Sequence, residues 1–182
     1  MQKVSVKLKN GVTVFGDEFD DNDYVILKRI FEKWIDINKD LKQLNGRNLN
    51  IPDVFSEALY CIFFNAIRTN GTAYSYDAVD KITGEGIQIK STSIVEDCTS
   101  FGPTSKWDKL YFVDFIPNGE IDGSVWFYEI NSYDIYSIVL NGKKNETFRD
   151  QQSQGRRPRF SIKSKIIKPN NLVPVYKINL GE

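Results

Sequence analysis

The sequence predicts an α/β fold in which helices flank a mixed β-sheet. Helix-period apolar patterns occupy the first third of the chain, and short apolar runs separated by Gly, Pro and Asn turns occupy the rest. The run 109–116 is almost continuously apolar, as expected for a central strand buried on both faces. With 182 residues, 41% of them apolar, we expect one domain with a well-formed core.

The N-terminal part is predicted to hold a hairpin and two helices. Asn10-Gly11 is a turn signal between two short apolar segments. Apolar residues at three- and four-residue spacing over 27–44 predict a helix. A second helix is predicted over 52–68, and we expect it to be largely buried because apolar residues cover most of its circumference.

The remainder is predicted to be mainly strands, since alternating and continuous apolar runs are bounded there by turn residues. We expect strands at 74–79, 87–91, 109–116, 124–130, 159–163 and 173–178, a helix at 132–140, and a loop at 141–158.

Composition excludes several kinds of active site. The chain has no histidine, which rules out Ser-His-Asp and Cys-His catalysis and any histidine-bound zinc. Any metal would be held by oxygen atoms, which favours magnesium, manganese or calcium. Two lone cysteines and an N-terminus without a signal-peptide core lead us to expect a cytoplasmic protein without a membrane segment.

The charge is unevenly distributed although the net charge is zero. Residues 17–23 contain five acids, whereas residues 143–168 contain nine Lys and Arg against two acids, a net charge of +7. Such a basic segment suits a nucleic-acid partner, and a solvated basic tail is the alternative.

The predicted hairpin places three polar side chains on one face. If Thr83-Gly84 is a two-residue turn, residue 77 faces residue 90, so that Asp77, Gln88 and Lys90 project together. A loop one residue longer or shorter would bring Asp80 to this face instead of Asp77.

This arrangement suits phosphodiester hydrolysis without histidine. Carboxylate and amide oxygens from Asp77 and Gln88 could hold Mg²⁺, and the Lys90 ammonium could stabilise developing negative charge. Glu57, in the mostly apolar second helix, could supply a further oxygen ligand or could simply pair with a nearby Lys or Arg. A surface hairpin with a solvated Gln and Lys is the non-functional alternative.

Several segments together resemble a known family. They are Ser56-Glu-Ala-Leu-Tyr60, Tyr76-Asp-Ala-Val-Asp80, Ile87-Gln-Ile-Lys-Ser-Thr92, Ser100-Phe-Gly-Pro103 and Trp107-Asp-Lys-Leu-Tyr-Phe-Val-Asp114. This set resembles the PD-(D/E)XK nucleases, and within them the small type II restriction endonucleases of the Bsp6I kind, which cut GC-N-GC sites in double-stranded DNA.

The resemblance implies a restriction-endonuclease-like core, Mg²⁺ dependence with Mn²⁺ as a possible substitute, and a homodimer on a near-palindromic site. Asp77 becomes the motif acid, Lys90 the motif lysine and Glu57 the helical glutamate. Gln88 stands where the motif has its second acid, which leaves the metal with one negative charge fewer.

The basic segment is predicted to read DNA. Arginine is the commonest reader of guanine, and glutamine can read adenine, so a loop rich in both suits the major groove. Phosphate clamping without sequence reading is the alternative. The candidates are Arg149, Gln151, Gln152, Gln154, Arg156, Arg157 and Arg159.

We therefore expect a helical support or dimer segment at 1–50, a nuclease core at 52–140 and a DNA-recognition segment at 141–168. A repair or junction-resolving nuclease of the same fold is the nearest alternative function. A DNA-binding module without catalytic activity is the alternative from another class.

Overall fold

The computed structural model describes residues 1–46, 48–69 and 75–181. In chain order the elements are β1 (Gln2–Lys7), β2 (Thr13–Glu18), α1 (Asp21–Gln43), α2 (Asp53–Phe63), β3 (Ala66–Thr69), β4 (Ala78–Asp80), β5 (Gly86–Thr92), β6 (Thr99–Ser100), β7 (Lys109–Asp114), β8 (Ser124–Ile130), α3 (Ser132–Tyr136), β9 (Val139–Asn141), β10 (Glu146–Thr147), α4 (Phe148–Ser153), β11 (Arg159–Phe160), a π-helix (Lys163–Ile167) and β12 (Tyr176–Asn179).

One large mixed sheet organises the described part of the chain. Its eight strands run in the order β1-β2-β3-β4-β5-β7-β8-β12. The central pair β5 and β7 is parallel, and the other neighbours are antiparallel. The predicted α/β class with a mixed sheet flanked by helices is confirmed.

Hydrophobic clusters cover both faces of this sheet. On one face, α1 and α2 bury Phe31, Trp34 and Phe55 against strand residues such as Ile89. On the other face, the C-terminal segments bury residues including Phe160 against β7 and β8. Since β5 and β7 lie between the two clusters, the sheet centre is fixed from both sides.

Several predicted boundaries were wrong. The second helix ends at Phe63, because Asn65 has a positive φ of 50° and the chain then forms β3 between β2 and β4. The segment 141–158 is not a loop throughout, since it contains β10 and α4. The helix predicted at 132–140 ends at Tyr136. Tyr74, the predicted start of a strand, lies outside the described residues.

Within the described ranges, no helix combines the length and apolar character needed to cross a membrane. Cys61 is buried and Cys98 is exposed, and neither forms a disulfide.

Candidate active site

A gap between β4 and β5 positions the side chain of Asp77. The two strands pair only through Ala78↔Ile87 and Val79↔Gly86, whereas β5 continues beside β7 as far as Thr92. In the gap, Asp77 Oδ2 accepts a hydrogen bond of 2.7 Å from the Ile89 backbone N–H. The carboxylate thus accepts the hydrogen bond that a backbone carbonyl would accept if β4 continued beside β5.

Gln88 and Lys90 lie next to this carboxylate on β5. The Gln88 side chain, which is 5% exposed, donates a hydrogen bond from Nε2 to Asp77 Oδ2. Lys90 follows two residues after Gln88 on β5 and is on the same face of the strand. Its Nζ atom lies 5.7 Å from the centre of the Phe101 ring. Lys90 forms no ion pair with any residue in the described ranges, so its charge is available to a ligand.

A cleft of about 270 Å³ opens beside these groups. Asp77 and Lys90 line it together with Glu57 from α2 and with Asp53, which begins that helix. Its other wall is rich in hydroxyl and carboxyl groups: Ser91, Thr92, Ser93, Asp97, Thr99 and Ser100. The cleft therefore offers oxygen ligands and one ammonium group at the same place.

The carboxyl group of Asp77 has an unusually high pKa. Its pKa is raised from 3.8 to about 6, chiefly by burial, and the nearby Glu57 and Asp53 carboxylates contribute to the increase. The Ile89 N–H and the Lys90 ammonium oppose this effect without cancelling it. At neutral pH the cleft thus holds a carboxylate whose negative charge is poorly compensated, a property frequent at functional sites.

The sequence left open whether Glu57 pairs with a Lys or Arg, and in the structure it pairs with Arg68. Its Oε2 accepts from Arg68 Nε at 2.5 Å, and the Glu57 side chain is 12% exposed. Pairing alone explains how a carboxylate is tolerated in this helix. Glu57 also lines the cleft, and its carboxylate is near enough to Asp77 to raise the pKa of that group.

The predicted hairpin register was wrong by two residues. The turn spans Lys81–Gly84 rather than Thr83-Gly84, so residue 78 faces residue 87. A shift of two preserves the alternation of side chains, which leaves Asp77, Gln88 and Lys90 on one face. Asp80 caps the turn instead, accepting hydrogen bonds from the N–H groups of Ile82 and Thr83 at 2.8 and 2.7 Å.

Glu146 binds three of the seven side chains that were predicted to contact DNA. Its carboxylate pairs with the Arg156 guanidinium and accepts hydrogen bonds from the amides of Gln151 and Gln154 at 3.1 and 3.2 Å. These donors, Arg156 first, lower the pKa of Glu146 to about 2.

The other four candidates lie around this group. The Arg149 guanidinium lies 5.1 Å from the centre of the Tyr136 ring, and Gln152 Nε2 donates to the Gly102 carbonyl at 2.9 Å. Arg157 and Arg159 are exposed and form no ion pair with the residues that the structure describes.

Comparison with known proteins identifies the family. The model of the Bsp6I restriction endonuclease family matches residues 19–169. The type II restriction enzyme Bsp6I of Bacillus sp. (strain RFL6) is 38% identical over 150 residues, which cover 81% of this chain and 82% of that enzyme. The chain belongs to the Bsp6I restriction endonuclease family. No solved structure matches it.

Membership of the Bsp6I family confirms the predicted resemblance, the restriction-endonuclease-like fold class and the assignment as a type II restriction endonuclease. The match includes α2, the gap at β4 and β5, and the segment that contains α4. Neither comparison assigns a role to a residue, so the site described above stays a prediction.

Among the cleft residues of this Bsp6I-family chain, sequence reasoning singled out Asp77, Lys90 and Glu57, and it missed others such as Asp97 and Ser100. Asp97 is buried and accepts hydrogen bonds from Ser161 Oγ and from the backbone N–H of Ile162, which joins the cleft wall to the C-terminal segment. Ser100 lies on β6, a strand of two residues that is too short to give a periodic signal. An acidic residue in a polar stretch of sequence, such as Asp97, is too common to be identified as a site residue.

Proposed function

We propose that this restriction endonuclease hydrolyses phosphodiester bonds at a short specific site in double-stranded DNA, with Asp77, Gln88, Glu57 and Lys90 as its active-site residues. One observation carries the proposal. The poorly compensated Asp77 carboxylate and the unpaired Lys90 ammonium share one cleft beside the gap between β4 and β5. The GC-N-GC target rests on the family resemblance.

The groups present fit a hard divalent cation, and we propose Mg²⁺, with Mn²⁺ as a substitute. Asp77 Oδ1 makes no hydrogen bond with the residues that the structure describes, and Glu57 has one oxygen beyond its bond to Arg68. No group of three or more His, Cys, Asp or Glu in the described ranges is placed to hold a metal. Two carboxylates and the Gln88 amide are a set that Mg²⁺ accepts, since it usually retains several waters.

When bound, such a cation would neutralise phosphate charge and make an attacking water more acidic. The protein groups have separate tasks. Asp77 holds the site in register through its bond to Ile89 N–H, and Gln88 orients the Asp77 carboxylate. Lys90 places a positive charge where negative charge develops on the scissile phosphate.

Digestion of a sequenced plasmid with the purified protein and Mg²⁺, followed by mapping of the ends, tests the function directly. Discrete, reproducible ends at one short sequence are expected. A repair or junction-resolving nuclease would cut according to DNA shape and leave no common sequence at the ends. A DNA-binding module would retard the plasmid in a gel and never nick it.

Gln88 stands where the general motif has an acid, and this difference gives one testable prediction. Gln88→Glu restores the acid of the general motif, so we expect Mg²⁺ to bind at least as tightly and cleavage to continue. Glu57→Gln should weaken Mg²⁺ binding if Glu57 is a ligand. Titration calorimetry with Mg²⁺ alone measures both effects. An unchanged Mg²⁺ affinity in Glu57→Gln would reduce Glu57 to the partner of Arg68.

An exposed apolar stripe on α1 supports the proposed homodimer. Ile30 and Ile37 lie one heptad apart on the face of α1 that flanks the buried Phe31 and Trp34, and the exposed Leu44 follows seven residues later, just after the helix ends. We propose that a second copy of the chain covers this stripe. A two-fold interface that pairs one patch with itself would bring one cleft to each DNA strand.

The double variant Ile30→Glu/Ile37→Glu should therefore yield a monomer, because burying two carboxylates in an apolar contact is costly. Sedimentation equilibrium measures the association state, and Val12→Glu, at an exposed apolar residue of the first hairpin, should remain a dimer. A double variant that sediments like the natural protein would exclude α1 as the interface.

A further inference from the structure

The two-stranded sheet of β6 and β11 has an apolar face and a polar face. Its register pairs Ser100 with Arg159. Phe101 and Phe160, the neighbours of that pair along each strand, are buried and stack on each other with ring centres 5.7 Å apart. Because side chains alternate along a strand, Ser100 and Arg159 share the opposite face.

Ser100 connects this polar face with the active-site cleft. It lines the cleft together with Asp77 and Lys90. Its Oγ atom is buried and has no hydrogen-bond partner among the residues that the structure describes. An unsatisfied hydroxyl at such a place is uncommon and is ready to bind a ligand.

Arg159 is directly opposite Ser100, and Cβ atoms of directly opposed residues are about 4.5–5.5 Å apart. Its guanidinium is exposed and makes no ion pair or hydrogen bond within the described ranges. Arg156 differs, because its guanidinium is held by Glu146. Lys90 belongs to the same neighbourhood, since its ammonium lies over the Phe101 ring.

We propose that Ser100 and Arg159 bind a backbone phosphate of the DNA next to the bond that is cleaved, and that Arg159 therefore does not read a base. A hydroxyl, a fork of guanidinium donors and the Lys90 ammonium suit a phosphate oxygen. The cleft also contains Asp53, Glu57 and Asp77, which repel phosphate, and the positive charges of Lys90 and Arg159 would offset that repulsion. This inference rests on the proposed nuclease function.

DNA affinity without metal tests Arg159 independently of cleavage. Arg159→Ala should weaken binding to cognate and random duplexes by similar factors and should reduce the salt dependence by about one released counterion. Arg159→Lys should restore the salt dependence, because it keeps the charge. Arg29→Ala, at an exposed arginine of α1, controls for the loss of one charge and should leave the slope unchanged. A loss confined to cognate DNA would make Arg159 a base reader and overturn the proposal.

The cleavage rate at saturating protein tests the position of the site. Ser100→Ala and Arg159→Ala should each lower the single-turnover rate by about tenfold or more, because a displaced phosphate no longer meets the Lys90 and Asp77 groups in line. Ser100→Thr keeps the hydroxyl and should retain most of the rate. Natural rates in both alanine variants would place the phosphate site away from the cleaved bond and overturn the proposal.

The two proposals fail in different ways. If the natural protein cuts no DNA under these conditions, the proposed function fails, while the salt dependence of Arg159→Ala still decides whether that residue holds phosphate. If the natural protein cuts DNA and Arg159→Ala behaves like Arg29→Ala in both assays, only the phosphate site is wrong.

Discussion

Replacing Asp77 by Asn or Lys90 by Ala is expected to lower the rate at which specific DNA is cleaved by at least about 100-fold. Enzymes typically lose about this much rate when one preorganised charged group is removed. Affinity for the same DNA should persist in both variants, because the segment 143–168, with its net charge of +7, is unchanged in both. Asp77→Asn should bind DNA at least as tightly as the natural protein, since a carboxylate that repels phosphate has been removed.

Single-turnover cleavage and a binding assay on one cognate duplex separate these two quantities. Asp80→Asn is the matched control: it removes an equivalent charge from the same hairpin but keeps an oxygen that can accept from the Ile82 and Thr83 N–H groups. Near-natural cutting by Asp77→Asn with an inactive Asp80→Asn would mean that the motif acid was misassigned. Near-natural cutting by Lys90→Ala would exclude this cleft as the nuclease site.

The face shared by Asp77, Gln88 and Lys90 could be predicted although the turn was placed wrongly. Strand side chains alternate with a period of two, so a register error of two residues exchanges the partners but retains the face. An error of one residue would have put Asp80 there. The position of the polar groups was therefore more predictable than the loop that connects them.

The segment 66–69 shows why other boundaries could not be predicted. Ala66 and Ile67 continue the apolar pattern of α2, so the local sequence favours a longer helix. The chain instead forms β3, which pairs with β2 on one side and β4 on the other. Those pairings join residues distant in sequence, and they outweigh local preference.

The start of α4, by contrast, is indicated by a recognisable pattern in the sequence. Thr147 and Asp150 form a capping box, in which each side chain accepts a hydrogen bond from the backbone N–H of the other residue. Reading 141–158 as one loop overlooked this pattern. The consequence matters for the site, because α4 and the residues after it deliver Gln151, Gln154 and Arg156 to Glu146.

Asp77→Asn is also expected to stabilise the metal-free protein at pH 7.5. Burial raises the pKa of Asp77 from 3.8 to about 6. Keeping Asp77 ionised in the folded state therefore costs about 2–3 kcal/mol, at about 1.4 kcal/mol for each pH unit. Asparagine keeps an acceptor for the Ile89 N–H without that cost. The pKa is higher folded than unfolded, so the natural protein loses stability as pH rises through about 6, and the advantage of the variant should shrink between pH 7.5 and pH 5.

Mg²⁺ should remove this difference in stability, which separates a metal ligand from a merely buried acid. A ligand that binds only the folded state at 100 times its Kd adds about 2.7 kcal/mol to the free energy of unfolding. We expect urea unfolding at pH 7.5 to show that gain for the natural protein and almost none for Asp77→Asn. The charged groups that act on Asp77, namely Lys90, Glu57 and Asp53, are unchanged in the comparison. Equal stabilisation of both proteins by Mg²⁺ would show that the cation binds elsewhere, and a variant less stable than the natural protein at pH 7.5 without metal would show that the Asp77 charge is compensated.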